Sequence, residues 1–313
     1  FNNEDFLTFA TICFSGEFAN LLLQARSLSL YGNGVVKNWI IVVNSDISDI
    51  DKNNIVNSLR KELHGSKFCT FIAYRKDIID LDLSNMPGSR SQQILKIYLS
   101  SFLNDDFYII LDSKNHAIRN LKKSCFIENN KPIVHKEPYP SWNPFYKSFM
   151  NAFNLVGLEG EEKLFEKYQS TTPYVMKTSI VKECMNKKLF NNAKDWYYCI
   201  ALDGDNENSI TEFSLYGAIF ELYKEKSIFQ RKKYVTLFDG YPNEHWQIMD
   251  FIKEFENENI FFFGVHRNKG GALNIEESVF LAKYWKKAGL FENVESGIFF
   301  LRHGLLSEYS LPK

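Results

Sequence analysis

Over roughly the first 120 residues, short apolar runs alternate with stretches of helical periodicity, and this restricts the chain to very few folds. The alternation marks βαβ units, a parallel sheet whose crossover helices cover its faces. Residues 6–14 (FLTFATICF) read as a first strand and 17–30 (EFANLLLQARSLSL) as a helix that stops at Gly32-Asn33-Gly34. A strand at 38–43, a helix from Asp49 to Leu63 stopped near Gly65, and a β-rich strand at 67–74 continue the pattern. In a helix at 91–103 (SQQILKIYLSSFL), Ile94, Leu95, Tyr98, Leu99 and Phe102 share one face, while Gln92 and Lys96 lie four apart on the other. The next strand, 107–111 (FYIIL), is apolar without alternation, as expected of a central strand covered on both faces. Asp112 follows it at once.

Past residue 120 the pattern loosens into hairpins and a loop at 137–144 (EPYPSWNP), suited either to fold over a site or simply to cover a core. A strand at 172–176, helices near 177–188 and 209–224, a strand at 259–265 and a helix at 275–287 complete the chain. Without an internal repeat or linker, 1–313 reads as a single α/β domain: a Rossmann-like, mainly parallel sheet flanked by helices, with a helical C-terminal part.

The 45% hydrophobic content can fill a core without disulfide or metal staples, and it is the first use of the abundant Phe and Tyr. A formal charge of -1 gives no basic footprint for nucleic acid. The five cysteines are scattered, with no CxxC pair, so a disulfide framework and a structural zinc site are both disfavoured and the cytoplasm is the expected compartment. His116 and His135 have no zinc-site spacing. No run approaches the roughly 20 apolar residues of a membrane span. The chain opens at Phe1 rather than Met, which leaves a preceding anchor or neighbouring domain open.

In open parallel sheets ligands bind beyond the carboxyl ends of the strands. Three polar stretches fall there: Phe14-Ser15-Gly16-Glu17, Asn44-Ser45-Asp46, and Asp112-Ser113-Lys114-Asn115-His116. Ser and Asp at such places also serve as caps and turns, but a carboxylate ending a buried strand needs a cation to meet it.

The stretch SQQILKIYLSSFLNDDFYIILDSKNHAIR resembles the core of a poorly characterised bacterial family of GT-A glycosyltransferase-like proteins, and TTPYVMKTSIV and ITEFSLYGAIFELY extend the likeness across most of 6–266. The resemblance implies a nucleotide-binding half to about residue 120 and an acceptor half at 121–313. It implies a nucleotide-sugar donor and a hydroxyl acceptor on a surface glycan, free or lipid-linked. In the D-x-D of GT-A enzymes two carboxylates hold a divalent ion on the leaving diphosphate. Here Asp112 keeps the first carboxylate and Lys114 replaces the second. Either Asp112, Asn115 and His266 hold a reduced Mn or Mg site, or no metal is required and Lys114 meets the phosphate directly; the second is favoured.

Ser15 and Asp46 are the expected nucleotide contacts, and Gln92, Gln93 and Lys96 would reach donor sugar or phosphate from their helix. Arg267 and Lys269, beside Gly270, form a basic loop for the anion. Glu212 is the expected base for the acceptor hydroxyl, although Ser209-Ile210-Thr211-Glu212 is also a capping box. Asp203 and Asp205 are alternative carboxylates, and the basic-aromatic stretch 223–234 would suit peripheral contact with the inner face of a membrane or simply end a helix in water. Two other functions stand beside transfer. One is a non-catalytic nucleotide-sugar-binding module; the other, a nucleotidyltransferase, is disfavoured because no glycine-rich phosphate loop follows strand one.

Overall fold

The computed structural model describes residues 6–80, 83, 86–186, 189, 195–201, 210–305 and 310–313. Strand β1 (Leu7–Cys13) passes through a 3-10 turn at Ser15–Glu17 into α1 (Phe18–Tyr31), and β2 (Val36–Val43) leads to α2 (Asp49–Glu62), capped by Ser48. Next come β3 (Cys69–Tyr74), the single turn α3 (Arg75–Ile78), α4 (Gly88–Tyr98) with a 3-10 extension at Leu99–Phe102, and β4 (Phe107–Asp112). A short β5 (Asn115–Ala117), the hairpin of β6 (Ile127–Glu128) and β7 (Lys131–Val134), and α5 (Pro144–Leu155) lead to β8 (Tyr174–Lys177), α6 (Thr178–Glu183) and α7 (Asp195–Ala201). The rest holds α8 (Glu212–Leu222), β9 (Ile228–Phe229), β10 (Tyr234–Leu237), α9 (His245–Lys253), β11 (Phe262–Val265), α10 (Arg267–Ala272), α11 (Ile275–Lys287) and α12 (Val294–His303).

The central sheet has the order β3-β2-β1-β4-β8, its first four strands parallel and β8 antiparallel to β4. Chain order therefore reverses between β1 and β4, and that is where an open α/β sheet forms its ligand crevice. Two smaller sheets, β10-β11-β5 and β6-β7-β9, lie outside it.

Strand geometry sorts the core into two layers, because successive side chains leave a strand on opposite faces. Phe9 and Cys13 of β1 and Phe107, Ile109 and Leu111 of β4 face α1 and the C-terminal helices. Ala10, Ile12, Tyr108 and Ile110 face α4, α5 and α8. The four early strands and their helices lie where the sequence pattern predicts. Several later elements differ. The helix expected from 209 starts at Glu212, the one expected across 177–188 is the six-residue α6, and 223–234 carries β9 and the start of β10 rather than a helix end in water.

Candidate active site

Asp112 takes the parity of Tyr108 and Ile110, so its carboxylate leaves β4, beside Ile12 of β1, on the face covered by α4 and α8. There it meets Lys96 of α4, whose ammonium donates to Asp112 Oδ1 at 3.0 Å and to Glu212 Oε1 at 2.9 Å. Periodicity placed Lys96 on a polar face; in the structure it is 5% exposed and ties β4 to the first residue of α8. Its Nζ lies over the ring of Phe213, 5.0 Å from the centroid, and Phe213 stacks on Tyr174 at 4.4 Å. Glu212 is not a cap. Thr211 is the N-cap, its hydroxyl accepting from Ser214 N–H at 3.2 Å, while Ser214 Oγ accepts from Thr211 N–H at 3.0 Å. That leaves the Glu212 side chain to Lys96, and its Oε2 has no hydrogen-bond partner among the described residues.

Lys114 closes the other side of Asp112, with Nζ at 2.5 Å from Oδ2. Burial alone would raise the Asp112 carboxyl, but Lys114 and Lys96 hold it far below the usual carboxylate range. Burial likewise opposes the charge on Lys96, and Asp112 and Glu212 overcome it, so this ammonium is raised above its ordinary value. Lys114 also lies over Phe238, 5.7 Å from its centroid.

The loop after β1 supplies a further carboxylate. Glu17 accepts from Ser113 Oγ at 2.8 Å and is pushed up by burial and by Asp112, against the Ser113 hydrogen bond and the charges of Lys114 and His266. Gln24, buried in the apolar stripe of α1, fixes the end of β4 by donating to the carbonyls of Asp112 at 2.8 Å and Asn115 at 2.7 Å. Thr11 donates to Gln24 and accepts from Trp39, so the support reaches across four strands and a helix. Glu17 lies in one of the three polar stretches that the sequence offered, without an assigned role; sequence reasoning missed Gln24, although a lone glutamine among LLLQA is a visible signal.

The other expected residues divide. Arg267 donates to Gly16 O at 2.9 Å, and a Cβ on Gly16 would come within 2.7 Å of that guanidinium, so the loops after β1 and β11 meet closely. Ser15 is exposed, its N–H donating to Ser45 Oγ at 3.0 Å, and Asp46 pairs with Arg75 at 3.0 Å. Gln92 is half-buried on α4. Asn115 is buried with Oδ1 accepting the Asp112 N–H, so it supports backbone rather than facing a ligand. Lys269 is also buried, its ammonium donating to Asn243 Oδ1 at 3.2 Å, and the Gly270 N–H is used inside α10. The basic anion loop expected there is therefore not formed by Lys269 and Gly270. Asp203 and Asp205 lie outside the described residues.

Residues 2–265 match the family of unknown function DUF6492. The chain belongs to that family. Comparison with the curated proteins finds no match. Among solved structures this DUF6492 member is similar to the galactosyltransferase LgtC in complex with donor and acceptor sugar analogs, with 9% identity over 90% of this chain and 95% of that one and a TM-score of 0.48. It is similar to core-mannan synthase A from Aspergillus fumigatus in its Mn/GDP form, with 9% identity over 68% and 69% and a TM-score of 0.41. A third is the apo-form glycosyltransferase GlyE in Streptococcus pneumoniae TIGR4, with 11% identity over 91% and 64% and a TM-score of 0.44. Identities this low carry no residue correspondence.

The divalent ion implied through Asp112, Asn115 and His266 does not fit these side chains. Both Asp112 oxygens face ammonium groups, the Asn115 oxygen is occupied, and His266 Nδ1 lies 3.0 Å from Asp239 Oδ1. A divalent ion about 4 Å from one ammonium would be repelled by on the order of 8 kcal/mol at an effective dielectric constant near 20. Among the described residues no three His, Cys, Asp or Glu side chains converge to hold a metal. Nor is any described helix long and apolar enough to cross a membrane.

Proposed function

We propose that this chain is a glycosyltransferase of GT-A organisation, moving a sugar from a nucleotide-activated donor to a hydroxyl of a glycan of the kind built on bacterial surfaces. The observation that carries this reading is the chain of charges Glu212–Lys96–Asp112–Lys114 at the β1/β4 crevice, two carboxylates and two cations joined at 2.9, 3.0 and 2.5 Å. The acceptor oxygen attacks the anomeric carbon and forms the new C–O bond as the bond to the diphosphate breaks. The hydroxyl proton passes to Glu212, and the electron pair leaves with the diphosphate. Lys114 meets that charge once a phosphate oxygen competes with Asp112 for its ammonium, so the protein supplies a cation where the D-x-D pattern would use a metal. Ser15, Asp46 and Arg267 border the nucleotide side.

Glu212→Gln keeps the shape and the hydrogen bond to Lys96. It is expected to preserve donor affinity and a cooperatively folded protein, at a lower melting temperature, while lowering turnover by about 10²–10⁴-fold, the usual contribution of a general base. Retained turnover rejects the base. Lys114→Ala is expected to weaken donor binding by about tenfold, the size of one lost charge-assisted contact, with wild-type affinity unaffected by chelator. Unchanged donor affinity in Lys114→Ala removes the phosphate role. A non-catalytic nucleotide-sugar-binding module is the second reading, favoured by the closure of Lys114 on Asp112. Donor binding without turnover on any acceptor selects it.

A further inference from the structure

An open cleft of about 900 Å³ lies between the 135–143 loop, Ser170 and the 229–241 segment. Its single acidic side chain is committed internally. Glu137 Oε1 lies 2.9 Å from His135 Nε2, and Oε2 accepts from Tyr139 at 2.7 Å and from the N–H and hydroxyl of Ser170 at 3.0 and 3.2 Å, with Lys232 3.9 Å away. Burial would raise this carboxyl, but His135, Tyr139 and Lys232 hold it ionised at about 2. The cations of the lining are not spent in the same way. Lys136 and Arg231 make no ion pair among the described residues, and Lys136 rests over Phe229 at 5.3 Å. Two rings stand open beside them, Phe229 at 42% and Tyr241 at 54% exposure, as flat platforms for a sugar face.

One residue joins the cleft to the candidate active site: Phe238 lines it and also underlies the Lys114 ammonium. From the other wall, Asn143 caps α5, and Ser148 of that helix accepts the N–H of Thr211, the residue before Glu212, at 2.9 Å. We propose that this cleft seats the acceptor of the transfer reaction and is built for a sugar bearing an anionic group, carboxylate or phosphate, held by Arg231 and Lys136 against the open rings. The acceptor role rests on the glycosyltransferase reading; the acidic-sugar site does not.

Saturation-transfer NMR and titration with glucuronic acid, glucose 6-phosphate, glucose and inorganic phosphate test it, using the full chain and the variant Arg231→Gln/Lys136→Gln. Both anionic sugars are expected to bind more tightly than glucose. The double variant should lose about tenfold or more of that affinity, with melting temperature and nucleotide-sugar affinity unchanged. Glucuronate binding alone identifies a carboxylate sugar, and glucose 6-phosphate alone a phosphorylated one. Equal binding of glucose, equal binding of bare phosphate, or anionic-sugar affinity that survives the double substitution overturns the site. Binding of phosphatidylglycerol vesicles that depends on Arg231 and Lys136, without sugar binding, overturns it in favour of a membrane contact. Donor binding without anionic-sugar binding removes the cleft assignment alone. Anionic-sugar binding without any donor binding keeps the site and removes the transferase reading beneath it.

Discussion

A lysine only 5% exposed costs several kcal/mol to desolvate and recovers that cost only while its partners are present. Lys96 has two, on elements far apart in sequence, so Lys96→Met should destabilise the fold by about 3–5 kcal/mol, the usual cost of breaking a buried pair. The loss should depend on pH. In the wild type Asp112 sits well below its ordinary value of 3.8, so its stabilising share is fully present above that value and is lost only as pH falls through the lower folded value. In Lys96→Met, Asp112 keeps only Lys114, so its folded value rises back toward the ordinary one and less of that share remains to be lost in acid. The deficit of the variant should shrink as pH is lowered from about 6 to about 3. Urea unfolding of both proteins at the two pH values checks this; a deficit independent of pH would mean that Lys96 acts through packing alone. The same residue shows where sequence reading stops. A carboxylate after an apolar strand and another at a helix start are visible in the chain, but helical periodicity separates polar from apolar and cannot separate exposed lysine from buried, paired lysine. Glu212, its partner, is 116 residues away.

At the scale of elements, legibility follows how completely each segment is buried. β1 and β4 are covered on both faces and are therefore mostly apolar, β4 from Phe107 to Leu111 and β1 at all but Thr8 and Thr11; β1 is buried at every position. α11 was visible because Asn274 and Glu277 form a reciprocal cap ahead of an amphipathic run. α5, α9 and α12 were not read. α5 does carry a start signal, Asn143 accepting from Phe145 N–H with Pro144 in the first turn, but the surrounding Pro and Trp made the segment resemble a loop. β9 has two residues and β10 four, too few for an alternation to register, and the basic QRKK between them disguises a wall of the cleft as a solvated helix end. Long-range pairing, not local preference, makes these strands. β9 exists because it pairs with β7, and β10 because it pairs with β11.

For the whole molecule, the question is whether the helices beyond the family match are an appendage. The match ends at residue 265, yet Leu281, Trp285, Leu290, Phe291, Phe300 and Leu301 belong to the same apolar layer as Leu21 and Leu22 of α1 and Phe9 of β1. Polar contacts cross the same boundary. Arg26 of α1 pairs with Glu62 at 2.7 Å and donates to the carbonyls of Leu290 and Pro312, while Trp285 donates to His116 at 2.8 Å. Burial pushes His116 down to about 3, so its ring is neutral and accepts that hydrogen bond across the neutral pH range. Removing 266–313 would uncover the outer face of α1 and leave a buried histidine nitrogen without its donor, and each such orphan costs about 1–3 kcal/mol in addition to the lost apolar burial. We therefore expect the full chain to unfold in one transition, with near- and far-ultraviolet circular dichroism coincident, and residues 1–265 alone to show no cooperative transition. A 1–265 fragment that melts cooperatively within a few degrees of the full chain would make the C-terminal helices a separable addition, and would move the site's support entirely into the first 265 residues.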